Sequence, residues 1–282
     1  MDRTHEFNRA LFRWWRGRRR DLPWRRTKDP YRILVSEVML QQTQVERVLA
    51  KYRIFLSEFP TVNLLAAAPL GAVLRIWSGL GYNRRAKYLW ECARLLTRAH
   101  KGKFPETFSA LCGLPGIGRS TAAALLAFAF DHDEPMIDTN IRRILARVFF
   151  APRLPGDAEL YRFAQALIPK GKGKEWNWAM MDAGALVCKA TQHNPRCPFQ
   201  ELHGKVRDFQ YKKPQTRFND SRRYWRGRIL FYLARRSRGY SGQALRRTLG
   251  LTEEEFDALI ETLKRERLVE SSGKRVYLPG NV

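Results

Sequence analysis

Acidic side chains, cysteines and long apolar runs are all scarce in this chain, and each shortage removes a class of protein. Across 282 residues, 27 Asp and Glu stand against 52 Lys and Arg, a formal net charge of +25. Such a balance attracts polyanions and makes their binding strongly salt-dependent, so nucleic acid is the expected partner. A membrane surface, or solubility alone, is the competing use of so much positive charge. The 4 cysteines, Cys92, Cys112, Cys188 and Cys197, are too few for a disulfide scaffold and fit a reducing compartment. The longest apolar run, Ala122–Phe130, reaches about half of the ~18 residues that a bilayer span needs. Met1 to Arg20 alternates apolar residues with charge and ends in Arg16-Gly17-Arg18-Arg19-Arg20, without the apolar stretch of a signal peptide. The expected location is therefore cytoplasmic, at the nucleoid.

What the chain does have is 44% hydrophobic residues, ample for a packed core, at a length that favours two domains. From Asp2 to Lys189 apolar residues recur at three- and four-residue spacing with almost no strand alternation, which predicts an all-α main domain over residues 1–204. Asp29-Pro30 reads as an N-cap with proline at the first helical position, and Pro60 and Pro69 open further helices. Lys170-Gly171-Lys172-Gly173-Lys174 reads as a poorly ordered basic loop. Residues 205–219 lose the periodicity and gather basic side chains, as a linker does. A small domain is expected over 220–282: helices at Arg222–Arg236 and Gly242–Leu249, a third helix to Arg267 behind a Thr252/Glu255 capping box, and a hairpin over Leu268–Leu278. Three helices and a hairpin make a winged-helix-like α+β unit. Its presumed recognition helix begins Glu253-Glu254-Glu255 and carries Asp257, charges that repel phosphate and point instead to a protein partner.

Two short stretches bear on chemistry. In Leu114-Pro115-Gly116-Ile117-Gly118-Arg119-Ser120 the glycines permit positive φ and close approach, so N–H groups opening the next helix can face a DNA phosphate. In Met136-Ile137-Asp138-Thr139-Asn140, Asp138 precedes a helix with apolar Ile141, Ile144, Leu145 and Val148, where backbone N–H groups are expected to hold it ionised. Alone, Asp138 is an ordinary N-cap. Glu37 shares a helical face with Ile33, Leu34, Leu40 and Gln41, a desolvated setting that favours its protonated form. Two carboxyl groups with opposite environments are what glycosidic cleavage uses, one protonating the leaving group and one stabilising the sugar cation.

Leu22-Pro23-Trp24-Arg25, the segment Ser36 to Val45, Gly79-Leu80-Gly81-Tyr82, the hairpin and Ala179-Met180-Met181-Asp182 together resemble the MutY-type adenine DNA glycosylases over roughly residues 8 to 200. The resemblance implies a two-lobed helix-hairpin-helix glycosylase fold that bends double-stranded DNA and extrudes the target base, acting as a monomer. It assigns Glu37 to protonation of adenine N7, Asp138 to stabilisation of the oxocarbenium ion and Asn140 to a polar helper. Trp24 and Arg25 match residues near the flipped base, and Gln41 lies beside Gln42 in the segment that marks this branch. Gln42 and Tyr82 match side chains pushed into the base stack. Leu114, Gly116, Gly118 and Arg119 match the hairpin that grips the backbone. Ser120 stands where bifunctional relatives carry a lysine, and serine forms no Schiff base, so simple hydrolysis is implied.

The chain departs from the family at two places. Of four cluster-binding cysteines only two have counterparts, Cys188 and Cys197, with Asn194 or Pro195 at the second position and His203 at the fourth. An iron-sulfur cluster is not expected. Cys188, His193, Cys197 and His203 form an irregular zinc set, and a metal-free loop is the reading preferred. After the linker, the winged-helix-like segment stands where relatives carry a Nudix-like domain that senses 8-oxoguanine, and Thr139 replaces a usual glycine. Two further functions thus stay open: removal of thymine or uracil from mispairs with guanine, and non-catalytic binding of DNA structures.

Overall fold

The structure, a computed structural model, describes residues 3–189, 194, 196–202, 221–236 and 238–280. In chain order the helices are α1 (Arg3–Trp15), α2 (Pro30–Leu40), α3 (Val45–Glu58), α4 (Val62–Ala67), α5 (Leu70–Trp77), α6 (Arg84–His100), α7 (Phe108–Cys112), α8 (Arg119–Ala129), α9 (Thr139–Leu145), α10 (Asp157–Leu167), α11 (Gly173–Leu186), α12 (Arg222–Leu233), α13 (Gly242–Leu249) and α14 (Glu253–Arg265). Short 3-10 turns at Pro23–Arg25 and Gln200–Leu202, a π-helical turn at Ala146–Phe150 and three short strands, β1 (Tyr240–Ser241), β2 (Glu270–Ser272) and β3 (Arg275–Tyr277), are also present.

The described residues group into two compact units that cut across the sequence: 3–34, 106–113 and 117–202 in one, and 35–105, 114–116 and 221–280 in the other. In the first, α11 is the central helix, packed against α1, α8 and α9. Trp176, Ala179, Met180 and Ala183 of α11 are buried with Phe7 and Leu11 of α1 and Ile141, Ile144 and Leu145 of α9. The α8 helix is small-residue rich and buried from Thr121 to Phe128, so it can lie deep without displacing neighbours. Asp133 accepts from the N–H groups of Gly171 (2.7 Å) and Gly173 (2.8 Å), so the expected loose basic loop is instead pinned and runs straight into α11. A Cβ on Gly173 would stand 2.5 Å from the His132 carbonyl oxygen, which is why glycine occupies that position.

In the second unit α4 and α5 pack on α6, with Phe55, Leu65, Val73, Trp77, Leu89 and Leu96 buried among them. Asp29, in the first unit, opens α2 as expected, its carboxylate accepting from Tyr31 N–H at 2.9 Å. The segment after residue 220 belongs to this unit: Gly71 N–H at the start of α5 donates to Pro279 O at 2.8 Å. Here Phe256, Leu259, Ile260 and Leu263 of α14 bury with Ile229 and Leu233 of α12 and Leu245 of α13. The capping box of Thr252 and Glu255 forms as the sequence predicts. The hairpin β2–β3 pairs antiparallel, and β1 adds to β3 to give the order β1-β3-β2. The proposed linker, 205–219, lies outside the described residues.

Candidate active site

Asp138 is the N-cap of α9. One carboxylate oxygen accepts from Ile141 N–H at 2.7 Å and the other from the Asn140 side chain at 3.0 Å. Asn140 is itself held: its oxygen accepts from Arg143 at 2.9 Å. Arginine only donates, so Asn140 must turn its oxygen to Arg143 and its NH2 to Asp138. Arg143 is buried and also donates to the carbonyls of Gly184 (2.8 Å) and Cys188 (2.7 Å), at the C-terminal end of α11. It thus satisfies orphan carbonyls at the negative end of a helix dipole while orienting Asn140. Gly184 sits directly behind: a Cβ there would be 2.4 Å from Asn140 Cβ.

The sequence reading of Asp138 needs correction in one respect. Its hydrogen bonds favour the ionised form, but desolvation is the larger influence and raises its pKa above the ordinary carboxylate value. The carboxylate sits in low dielectric, where its attraction to a nearby cation is amplified. Glu37 stands in the last turn of α2, in the other unit, and is half-buried rather than sealed, with Ile33 and Leu34 of its helix fully packed.

The two hairpin glycines prove unlike. Gly116 adopts φ +75°, and a Cβ on it would meet Tyr88 Cβ at 2.6 Å, so glycine is required twice over. Gly118 lies at φ −91°, in extended backbone, with open space where a Cβ would point. The expectation of positive φ fails there; what glycine gives is an uncovered helix N-terminus. Arg119 and half-buried Ser120 occupy the first turn of α8, with the Arg119 guanidinium over the rings of Phe108 (5.3 Å) and Tyr161 (5.7 Å). Leu114 is buried and anchors the turn.

Arg25 is a buried ion-pair partner: its guanidinium forks onto Asp182 with both contacts at 2.8 Å, and Trp15 Nε1 donates to the same carboxylate at 2.8 Å. Removing one partner would leave the other charge buried and uncompensated. Trp24 is buried beside it in sequence. Gln42 and Tyr82 are exposed, Gln41 half-buried, and both Gln42 (φ 55°) and Tyr82 (φ 47°) hold left-handed backbone. Sequence reasoning missed Arg143, Gly184 and the buried Arg85, described below. The available signals were an arginine three residues after Asn140 and a glycine inside a helical pattern.

At Cys188 and Cys197 the described donors are engaged with one another and with protein partners. The two thiols contact each other, Arg147 donates to Cys188 Sγ at 3.4 Å, and Asn194 spends its side chain on Arg196 N–H (2.9 Å) and its carbonyl on Cys197 N–H (2.9 Å). That contact and the neighbouring Arg147 draw the Cys188 pKa down to about 6. No group of three or more metal-ligating side chains assembles among the described residues; His193 and His203 lie outside them. A cavity of about 870 Å³ beside Asn8, Arg9, Arg16 and Lys172 includes none of the candidate residues. No described helix is long and apolar enough to cross a membrane.

Residues 35–170 match the family described as HhH-GPD superfamily base excision DNA repair protein. Among curated relatives, the chain is 33% identical over 234 residues to an adenine DNA glycosylase of Buchnera aphidicola subsp. Baizongia pistaciae, covering 79% of this chain and 66% of the relative. It is 41% identical over 201 residues to an adenine DNA glycosylase of Mycobacterium tuberculosis (68% and 64%). With an adenine DNA glycosylase of Homo sapiens it shares 37% over 212 residues (70% and 38%). The chain therefore spans at most about two thirds of the length of these relatives. Among solved structures, a thermostable thymine-DNA glycosylase superposes with a TM-score of 0.68 at 29% identity, over 71% of this chain and 95% of that one. A non-covalent endonuclease III–DNA complex superposes with a TM-score of 0.63 at 22% identity, over 71% of this chain and 94% of that one, a likeness of fold alone.

Proposed function

The chain belongs to the HhH-GPD superfamily of base excision DNA repair proteins, in its MutY-type branch, and from that premise we propose that it excises adenine mispaired with guanine or 8-oxoguanine. The reaction is hydrolysis of the N-glycosidic bond. Glu37 donates a proton to N7 of the extruded base, which leaves with the bonding electron pair. Asp138, ionised and fixed by Ile141 N–H and Asn140, faces the oxocarbenium ion, and water completes the abasic sugar. With Ser120 in place of an amine nucleophile, the strand stays intact.

The single observation that carries this reading is the Asp138–Asn140–Arg143 arrangement inside the matched region: a desolvated carboxylate held by two donors at a helix N-terminus. Relatives named adenine DNA glycosylases support the choice of base. Thr139 and the likeness to a thymine-DNA glycosylase favour a second reading, removal of thymine from mispairs with guanine. Single-turnover incubation with a panel of mismatched duplexes at fixed salt tests both. Release of adenine supports the first, release of thymine the second, and binding without release supports a DNA-structure binder.

Helix order and strand order after residue 220 fit a winged helix, with β2–β3 as the wing. Basic α12 is then the DNA-facing element and acidic α14 the surface for a protein partner. The likeness to a thymine-DNA glycosylase and the net charge of +25 support double-stranded DNA as the ligand.

A further inference from the structure

Arg85 is an arginine almost without solvent access, 8% exposed, in the first turn of α6. Its guanidinium meets seven oxygens, drawn from the end of α2 with the loop after it and from the turn before α6. Toward the end of α2 and the loop after it, Nη1 donates to Val38 O (2.9 Å), Met39 O (2.9 Å) and Gln41 O, and Nη2 donates to Thr43 Oγ1 (3.0 Å). Toward the turn before α6, Nη2 donates to Gly81 O (3.1 Å) and Leu80 O (3.4 Å), and Nε to Tyr82 O (3.4 Å). Five N–H protons serve seven acceptors, so several bonds are shared, as befits a planar fork filling a closed ring of carbonyls. The aromatic faces of Trp77 (5.3 Å) and Tyr82 (5.4 Å) close the cage.

The two loops have one more property in common. Each presents one exposed side chain from a left-handed backbone position: Gln42 at φ 55° and Tyr82 at φ 47°, the latter with 43% of its surface exposed. For a non-glycine residue that conformation is strained and persists only where neighbouring structure fixes it. A single buried cation binds both sequence neighbours of Gln42, the Gln41 carbonyl and the Thr43 hydroxyl, and the carbonyl of Tyr82 itself. Among the described residues its hydrogen-bond partners are carbonyls and one hydroxyl, with no carboxylate; neutral oxygens receive a charge taken from water. That is costly unless the charge holds something in place.

We infer that Arg85 is a positioning residue that locks the Gln42 and Tyr82 loops together as one preorganised wedge for entering the DNA base stack. Arg85 touches no substrate in this scheme; it acts through the backbone of the two loops. The inference rests on the proposed glycosylase reading for the use of the wedge, though not for its construction.

The test uses the full chain with Arg85→Lys, which keeps a charge but offers three N–H groups without the planar fork, and Thr43→Val, which removes one acceptor and is expected to leave the fold intact. Three readouts are taken: single-turnover release of adenine, duplex affinity, and fluorescence of 2-aminopurine placed beside the mispair, which rises when the stack opens. For Arg85→Lys the expected result is a fall of ~10-fold or more in the excision rate, with affinity changed less than about threefold and the 2-aminopurine signal lost. Thr43→Val is expected to show the same pattern more weakly. Combining Arg85→Lys with Tyr82→Ala should cost no more than Tyr82→Ala alone, because both disable one wedge. A plain folding defect would instead lower the active fraction and add to Tyr82→Ala in full. Full additivity, or an unchanged 2-aminopurine signal in both variants, overturns the inference. If Arg85→Lys does not fold, Thr43→Val alone decides. If the unaltered chain releases no base from any duplex, the glycosylase reading fails, and the 2-aminopurine signal still decides the role of Arg85.

Discussion

Replacing Asp138 by Asn probes the chemistry and the energetics of the site at once. The carboxylate is held at 2.7 Å by Ile141 N–H and at 3.0 Å by Asn140. An asparagine keeps the N-cap, since its oxygen still accepts from Ile141. What disappears is the charge that faces a developing cation. Loss of one preorganised electrostatic contact of this kind costs about 2.7–4 kcal/mol, so single-turnover base release should fall by at least ~10²-fold. Duplex affinity should be nearly unchanged, because no phosphate is held by a carboxylate. In the unaltered protein the rate should decline as pH falls through the Asp138 pKa, at a midpoint above the usual carboxylate range, since only the ionised form attracts the cation.

Stability should move the opposite way. Burial raises the folded-state pKa of Asp138 above its value of about 3.8 in the unfolded chain. A group shifted in this direction contributes stability that is complete below the unfolded pKa and lost as pH rises through the folded pKa. As pH rises, ionisation of the buried carboxylate therefore becomes a cost that Asp138→Asn removes. Against this, the new amide turns an NH2 toward the NH2 of Asn140, a mispairing of about 1 kcal/mol. The diagnostic is thus the pH dependence: the melting temperature of the variant minus that of the unaltered protein should grow as pH rises from about 4 toward neutral. Undiminished base release would remove Asp138 from the mechanism, and a melting difference flat with pH would refute the claim that desolvation dominates its ionisation.

Gly184→Ala should force the Asn140 side chain away, since the added carbon lies 2.4 Å from Asn140 Cβ; a cost of about 1–3 kcal/mol in stability and a drop in rate larger than in affinity are expected, measured by melting and single-turnover kinetics. Gly116→Val should weaken binding to matched and mismatched duplexes alike, because φ +75° and Tyr88 both oppose it, and a loss confined to one mismatch would contradict a backbone-gripping role. Gly118→Ala meets open space and should leave the melting temperature unchanged, so any fall in duplex affinity reads as exclusion of the phosphate. The unaltered protein should give no borohydride-trapped adduct with DNA, whereas Ser120→Lys should give one; trapping by the unaltered chain would overturn simple hydrolysis.

Much of this architecture is written locally, and those parts were legible. Proline after Asp29, the Thr252/Glu255 box and the alternation around Ser271 to Lys274 each act within a few residues, and each produced the expected element. The misreadings share a different cause: each involves a partner distant in sequence. Asp133 pins Gly171 and Gly173 from 38 and 40 residues away, so a run of lysines and glycines that reads as loose is fixed. Asp138 reads as an ionised cap because the caps are local, while the desolvation that raises its pKa comes from packing that no window of sequence reveals. Gly118 reads like Gly116 until Tyr88, 28 residues earlier than Gly116, is brought against only one of them.

Arg85 is the sharpest instance, since in a chain with 52 basic residues one more arginine carries no signal at all. Its neighbours Arg84 and Lys87 look the same in sequence, yet Arg84 is exposed and Arg85 is buried among carbonyls up to 47 residues away. A positive charge in a basic protein is normally explained by the polyanion it attracts. Here one cation has been withdrawn from that role and turned inward, and desolvation lowers its pKa to about 10, still well above neutrality. It stays charged while bound to neutral oxygens of two loops. The charge that ties the Gln42 and Tyr82 loops is thus chemically identical to the charges left at the surface, and only the oxygens around it tell the two apart.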